Sequence, residues 1–352
     1  MCLRLARLSE LKVAMGTSIF IASFIFGIFV LAILFIFQFD FVSGLVFALI
    51  GTALFILFQY LVGPAIVGAS THLRYLKPGE NPWLESTVKE LAGKSGVPMP
   101  KLAIVPNKTP NAFTYGRTSS SATLALHEGL LNNLNEDEVK GVIGHELGHI
   151  KHKDYIVMTV LGALPVIAYL VAQVMFQSAM WGSYSRRKDG GNAAAALIAV
   201  GVISFIVYII TFVSVMRLSR LREHFADAFS AYVTGSPRSL ESALTKITYG
   251  LSLAPKMTAE ARAFYIEDPA MAKQEVQMIM DKKDEYDLDK DGVLDERELE
   301  LAMEKEAKST WNQLNTLFAT HPPTFKRILL LHEIETEMET GRYTSDRIYA
   351  HV

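Results

Sequence analysis

In GVIGHELGHIKHKD, residues 141–154, two histidines stand four residues apart and a glutamate directly follows the first. Asn135 and the acidic residues after it predict a helix start, and apolar residues follow at helical spacing. On a helix, His145 and His149 lie one turn apart on the same face, so both imidazoles can bind one ion. Glu146 is rotated away from this pair but can still reach a water molecule beside the ion. The pattern therefore predicts a metal site inside a helix, and two imidazoles with open positions suit zinc.

A third ligand distinguishes this site from a chance histidine pair on a solvated helix. In SRLREHFADAFSAYVTG, residues 219–235, Glu223 and Asp227 again stand four residues apart on one helical face. Glu223 can complete a two-histidine, one-glutamate zinc site. Asp227 can accept the second ring N–H of a ligating histidine and so fix its tautomer.

Four stretches now resemble one family, the HtpX-like membrane zinc endopeptidases, which are gluzincins related to the CAAX prenyl endopeptidases. They are NAFTYGR at 111–117, HELGH at 145–149, REHFAD at 222–227 and THPPTFKRI at 320–328. Their order is similar to that of the family, as are the hydrophobic segments before the first stretch and between the second and third.

The resemblance implies one catalytic zinc ion, held by His145, His149 and Glu223. Glu146 would accept a proton from the attacking water and later pass it to the leaving amine, so that no acyl-enzyme forms. The expected partners are unfolded or membrane protein substrates and the lipid bilayer, and the expected role is quality control of misfolded or damaged membrane proteins. The alternative is a calcium-responsive membrane binding module on an inactive protease scaffold, against which the intact Glu146 argues.

By the same resemblance, the His-Pro stretch approaches the active site, which makes His321 a candidate catalytic residue that donates to the transition state. A helix-capping histidine before the two prolines is an equal alternative. Arg327 could pair with an acidic side chain near the site, but a solvated helix face is the favoured interpretation.

The segment PNAFTYGRTSSSATLALHEGLL, residues 110–131, predicts a strand, a turn and a second strand. Gluzincins use an edge strand to bind the substrate main chain. The resemblance therefore places Asn111, Ala112 and Phe113 at the substrate cleft, although Phe113 could equally belong to the core.

Membrane spans are expected, because 50% of the 352 residues are hydrophobic and the mean hydropathy is +0.24. Four uncharged segments are long enough to cross a bilayer, with buried core helices as the less favoured alternative; they are Val13–Phe39, Phe41–Thr71, Tyr155–Ser185 and Gly190–Met216. The predicted fold is a mainly α membrane protein with four hydrophobic helices plus a gluzincin-type α+β zinc peptidase domain containing a small β-sheet.

Basic residues predict a multi-pass protein of the cell membrane whose catalytic domain faces the cytoplasm. Those that favour a cytoplasmic face are Arg4, Arg7, Lys12, Arg74, Lys77, Arg217, Arg220 and Arg222. The cluster 186–188 is the exception if segments three and four both span. The single cysteine, Cys2, fits a reducing compartment. A net charge of −2 and the lack of a basic stripe give no reason to expect a nucleic-acid partner.

A second motif, DLDKDGVLDERE at residues 287–298, fills every fixed position of an EF-hand loop. Its predicted ligands are the side chains of Asp287, Asp289, Asp291, Asp295 and Glu298 and the carbonyl of Val293. The loop predicts Ca²⁺ or Mg²⁺ binding, with a solvated acidic turn as the alternative. A lone EF-hand leaves an apolar face uncovered, so it should pack on the peptidase domain or on another copy, which would give self-association.

These features predict six consecutive parts. They are a transmembrane hairpin at 13–71, the first peptidase part at 72–154, a second hydrophobic pair at 155–216, the second peptidase part at 217–267, an EF-hand insertion at 268–312 and a C-terminal helical part at 313–352.

Overall fold

The computed structural model describes residues 13, 16–17, 20–21, 24–30, 33–34, 40–182, 190–253, 265–290, 294–307, 319, 321–343 and 348–349. The chain divides into two compact units. One includes residues 64–155 and 219–352, and the other includes residues 12–63 and 156–218. All the predicted zinc-site residues belong to the first unit.

Helices dominate the described residues, as predicted. They are α1 Phe41–Ser70, α2 Pro82–Ser95, α3 Glu128–Asn133, α4 Glu136–His152, α5 Asp154–Gly182, α6 Gly190–Thr234, α7 Pro237–Ser252, α8 Pro269–Asp281, α9 Lys283–Tyr286, α10 Glu296–Ala307 and α11 Thr324–Glu339.

A small mixed sheet accompanies the helices, in the order β1-β2-β4-β3. Its strands are β1 Arg74–Tyr75, β2 Lys101–Val105, β3 Ala112–Tyr115 and β4 Thr123–His127. β2 runs parallel to β4, whereas β1 and β3 pair antiparallel with their neighbours. The predicted strand, turn and strand are thus confirmed, and β3 lies at the sheet edge.

Helix α4 begins where the sequence predicts, because Asn135 and Glu138 form a capping box. The Asn135 side chain accepts hydrogen bonds from the backbone N–H groups of Asp137 and Glu138, and the Glu138 carboxylate accepts one from the N–H of Asn135. The helix ends at His152, and its cap Lys153 has a left-handed φ of 59° that turns the chain directly into α5.

Two glycines of α4 allow α6 to approach closely. A Cβ atom on Gly148 would lie 3.1 Å from the Cα atom of Ala226, and one on Gly144 would lie 2.8 Å from Oγ of Ser230. Ala226 and Ser230 share their face of α6 with Glu223. The missing side chains of α4 therefore bring the third predicted ligand towards the two histidines.

Three described helices are long and apolar enough to cross a membrane, with candidate spans at Val42–Ser70, Asp154–Met180 and Ala194–Thr234. They correspond to the second, third and fourth predicted segments. α6 runs on well past the predicted end of its apolar segment at Met216, because charged residues end an apolar run without ending a helix. Much of the first predicted segment, Val13–Phe39, lies outside the described residues, so the count of four remains a prediction.

A separate apolar cluster surrounds the predicted EF-hand. It joins Ile279, Tyr286, Leu294, Leu299 and Ala302 to Phe325 and Ile328 of α11. Within the described residues, the apolar face of the α8–α10 segment is thus covered by the C-terminal helix of the same chain, the first of the two arrangements that we expect.

Candidate metal centre

Three side chains from α4 and α6 converge on one point. The Nε2 atoms of His145 and His149 lie 3.0 Å apart. Oε2 of Glu223 lies 3.4 Å from Nε2 of His145, and Oε1 lies 3.5 Å from Nε2 of His149. The structure therefore brings together the three residues predicted as zinc ligands, and all three are at least half buried.

The hydrogen-bond partners of the two rings indicate that this cluster fits a cation. Nδ1 of His145 lies 2.9 Å from Oδ1 of Asp227, and Nδ1 of His149 lies 2.6 Å from Oδ2 of Asp154. Because a carboxylate only accepts, each Nδ1 carries the proton, and in the neutral rings both Nε2 atoms present lone pairs. Two lone pairs and a buried carboxylate then face one another, and Oε2 of Glu223 has no hydrogen-bond partner among the described residues. A divalent cation satisfies all three groups.

Asp154 is a site residue that the sequence analysis missed. It holds His149 from the first turn of α5 and forms an ion pair with Arg222, whose Nε lies 2.9 Å from Oδ1. The available signal was its position just beyond the last turn of α4, where a chain reversal can return a carboxylate to the helix. Asp227, in contrast, lies where predicted, at Nδ1 of His145.

Arg327 corrects a prediction. The favoured interpretation placed this residue on a solvated helix face, and this is wrong, because its side chain is fully buried. Its Nε and Nη2 atoms donate to the two carboxylate oxygens of Asp227 at 2.8 and 2.6 Å. A buried aspartate needs this partner, and a two-point guanidinium contact fixes its orientation towards His145.

The same arginine links the centre to the edge strand. Its Nη1 donates to the carbonyl oxygen of Ile266 at 2.8 Å, and the N–H of Ile266 donates to Oδ1 of Asn111 at 2.9 Å. Asn111 directly precedes β3. A continuous chain of hydrogen bonds thus runs from the start of the strand through Ile266, Arg327 and Asp227 to the ring of His145.

Glu146 faces β3 from inside the fold. The side chain is almost completely buried, and its Oε2 has no hydrogen-bond partner within the described part of the chain. Burial raises the pKa of its carboxyl to about 7, against an opposing hydrogen bond from the Thr114 side chain. A carboxyl with a pKa near neutrality can both take and return a proton at physiological pH.

His321 lies beside the third ligand. Its Nδ1 is 3.4 Å from Oε2 of Glu223. Burial lowers the pKa of His321, but the Glu223 carboxylate more than offsets this and the pKa lies above its usual value. The alternative that His321 caps α11 is wrong, because the capping position is Pro323 and no side chain bonds there.

The three residues predicted at the substrate cleft have buried side chains. Asn111 bonds Ile266, Ala112 is buried in the sheet, and Phe113 packs in a cluster that includes Val105 and Ala125. The core alternative for Phe113 is therefore confirmed. Since β3 is an edge strand, contact with a peptide would come from its backbone.

The predicted calcium loop lies apart from this centre. Asp287, Asp289 and Glu298 can each offer a carboxylate oxygen within 4.8 Å of the others. Asp291 and Val293, two further predicted ligands, lie outside the described residues. The Glu298 carboxylate accepts hydrogen bonds from the backbone N–H groups of Leu288 and Asp295 at 2.6 and 3.1 Å. The Asp295 side chain accepts one from the N–H of Glu298.

Two histidines and a glutamate around one point, a buried carboxyl beside them and an edge strand next to that carboxyl are the parts of a peptidase that uses water as its nucleophile. The model of peptidase family M48 matches residues 78–335. The chain belongs to this family and is a membrane protease, which confirms the predicted resemblance.

Relatives support this assignment along most of the chain. The chain is 32% identical over 297 residues to a protein named Protease HtpX homolog from Aeropyrum pernix, covering 84% of this chain and 88% of the relative. A homologue of the same name from Methanothermobacter thermautotrophicus is 38% identical over 208 residues, or 59% of this chain and 75% of the relative. A solved structure, the crystal structure of S. mikatae Ste24p, matches with a TM-score of 0.47 and 15% identity, covering 91% of this chain and 67% of that chain.

Proposed function

We propose that this protein is a zinc-dependent endopeptidase that hydrolyses unfolded or damaged membrane proteins, with Glu146 as its general base. The observation that carries the proposal is the convergence of the Nε2 atoms of His145 and His149 with the Glu223 carboxylate. Two nitrogen ligands and one carboxylate ligand leave a coordination position for water or substrate, as in catalytic zinc sites. The substrate class rests on the family resemblance and the membrane spans.

The protein's own side chains then have distinct roles. Zinc, when bound, acts as a Lewis acid that polarises the scissile carbonyl and acidifies a water molecule. Glu146 accepts the proton of that water and returns it to the leaving amine. His321, with its raised pKa, donates a hydrogen bond to the oxygen on which negative charge develops. The backbone of β3 holds the peptide in an extended conformation by strand addition.

The direct test is cleavage of casein, an unfolded model protein, by the full-length protein purified in detergent and loaded with zinc. Glu146→Gln should lower the rate by about 10²- to 10⁴-fold at equal zinc content, because only the proton acceptor is lost. Glu136→Gln, an exposed change on the same helix, is the matched control and should cut at the wild-type rate. Equal rates for Glu146→Gln and wild type would remove the enzyme proposal and favour the binding-module alternative.

We propose, second, that the loop at 287–298 binds Ca²⁺. The proximity of the Asp287, Asp289 and Glu298 oxygens supports it, together with the full spacing of the motif. Calcium should raise the melting temperature of wild type. The increase should be lost in Glu298→Gln and kept in Asp281→Asn, an exposed acidic change just before the loop. A calcium shift that survives Glu298→Gln would place the ion elsewhere, and magnesium added in place of calcium tests the choice of ion.

The proposed orientation places the peptidase unit in the cytoplasm of a cell whose plasma membrane holds the spans, as the basic residues beside them suggest. A single cysteine introduced at exposed Lys108, in a Cys2→Ser background, tests it. It should resist a membrane-impermeant maleimide in intact cells and react after lysis. Labelling of intact cells would reverse the orientation. Self-association through the EF-hand stays a further prediction, which cross-linking with and without calcium tests.

A further inference from the structure

A second group of metal-binding side chains lies on the pair α7 and α11. These helices are antiparallel neighbours, since Thr248 near the end of α7 bonds Thr324 at the start of α11 at 2.9 Å, while Arg238 near the start of α7 meets Glu335 towards the end of α11. Leu244 of α7 and Leu331 of α11 are both fully buried in the same core cluster. The pair is therefore a firm support for any group that both helices hold.

Three donor side chains meet on this pair. His332 and Glu335 stand three residues apart on one face of α11, with Nδ1 and Oε2 3.8 Å apart. Glu241 approaches from α7 and is 8% exposed. One donor atom from each of the three residues lies within 4.8 Å of the other two. Three donors around one zinc-sized ion are about 3.4 Å apart, so small side-chain rotations complete the set.

The surroundings favour a cation that arrives from solvent. Glu241 and His332 line a cavity of about 1030 Å³, and 44% of the His332 side chain is exposed. Water can therefore fill the remaining coordination positions. One competing partner of Glu335 is Arg238, whose Nε lies 3.2 Å from Oε1 of Glu335. That arginine side chain is 71% exposed, and a solvated ion pair of this kind contributes only about 0–1 kcal/mol.

We propose that Glu241, His332 and Glu335 form a second metal site, which binds a transition-metal dication such as Zn²⁺ and holds α7 to α11. One imidazole with two carboxylates on separate rigid helices selects such ions over Ca²⁺ and Mg²⁺, which take oxygen ligands. The proposed site is separate from the centre around His145, because none of its three donor residues belongs to that centre. On α11, His332 follows Arg327 by five residues.

The test counts bound zinc by equilibrium dialysis of the full-length protein in detergent, with Mg²⁺ and Ca²⁺ in excess to occupy oxygen sites. Wild type should bind one equivalent beyond the catalytic one. His332→Gln and Glu241→Gln should weaken that additional equivalent by at least about 10-fold, since even an outer partner of a metal ligand is worth that much. Both variants should keep the catalytic equivalent and the wild-type cleavage rate at limiting zinc.

Two further measurements keep the proposal open to refutation if one variant folds poorly. Arg238→Ala removes the competing cation and should tighten the additional equivalent, whereas unchanged or weaker binding would overturn the site. Wild type that carries only the catalytic equivalent of zinc should gain melting temperature when more zinc is added. The melting temperature of His332→Gln, loaded in the same way, should not change. The proposal would also be overturned if wild type bound a single equivalent of zinc, or if all three substitutions left the affinity for the additional equivalent unchanged.

Discussion

Arg327→Met should damage the centre without touching a predicted metal ligand. Methionine has a similar length but no charge and no donors. The change leaves Asp227 buried, with His145 as its remaining partner among the bonds described above. The carbonyl oxygen of Ile266 also loses the hydrogen bond that Arg327 donates to it. Breaking a buried ion pair by removing one partner costs about 3–5 kcal/mol, because the other charge stays buried. Nearby Glu267 adds little to this free-energy cost, because burial raises its pKa to about 7 and its carboxylate can take up a proton.

The metal should respond as well as the fold. Asp227 orients the ring of His145, and loss of such an outer partner typically weakens metal binding by about 10- to 100-fold. Thermal unfolding in detergent measures the first effect, and competition with a zinc chelator measures the second. Lys326→Met, the exposed neighbour on α11, is the matched control and should change stability by no more than about 0.5 kcal/mol.

A double substitution separates lost pairing from lost packing. Asp227→Asn in the Arg327→Met background removes the stranded charge, so the double variant should be more stable than the sum of the single changes implies, by about 0.5–3 kcal/mol. The buried pair does not hold the centre if Arg327→Met has the same melting temperature and zinc affinity as Lys326→Met. The same conclusion follows if the stability losses of the changes at Arg327 and Asp227 simply add.

Three other changes test the supporting structure. Gly148→Ala should cost about 1–3 kcal/mol and reduce zinc retention, because the new Cβ meets the backbone of α6; Gly93→Ala, with open space around it, should not, and equal effects would refute the close-packing argument. Asp154→Asn should weaken zinc binding by about 10- to 100-fold, measured against a chelator, while exposed Asp137→Asn leaves it unchanged; equal affinities would contradict the role given to Asp154. Burial lowers the pKa of His127 to about 4. The stability that the neutral His127 ring contributes to the fold is therefore complete above pH 6.5 and is lost as the pH falls towards 4. Melting curves of wild type should therefore lose up to about 3 kcal/mol across that range relative to His127→Asn, and parallel pH profiles would rule this out.

Local periodicity explains why much of the site could be predicted. His145, His149 and Glu146 belong to one helix, and Glu223 and Asp227 to another, so their relative directions follow from 3.6 residues per turn. The capping box at Asn135 marks the helix start for the same local reason. A strand, turn and strand between 110 and 131 also follows from nearby residues.

Tertiary contacts explain what could not be predicted. Arg327 pairs with a residue 100 positions away, and its burial depends on how α11 packs against the rest of the peptidase unit. Asp154 reaches His149 only because Lys153 adopts a left-handed conformation that hydropathy does not reveal. The end of α6 could not be predicted for a different reason. The apolar pattern stops at Met216, whereas the helix continues with polar residues to Thr234.

The hydrogen bonds from Asn111 to His145 connect the edge strand proposed to bind the peptide with a proposed metal ligand, so we expect the two binding events to be thermodynamically linked. A peptide that adds to β3 acts on the strand at whose start Asn111 lies, and through Ile266 and Arg327 on the aspartate that orients a metal ligand. Linkage is reciprocal, so if an extended peptide tightens the ion by some factor, the ion tightens the peptide by the same factor. If that factor exceeds one, the metal-loaded state is favoured when a strand-forming substrate is present, and the ion is released most readily when no substrate is bound.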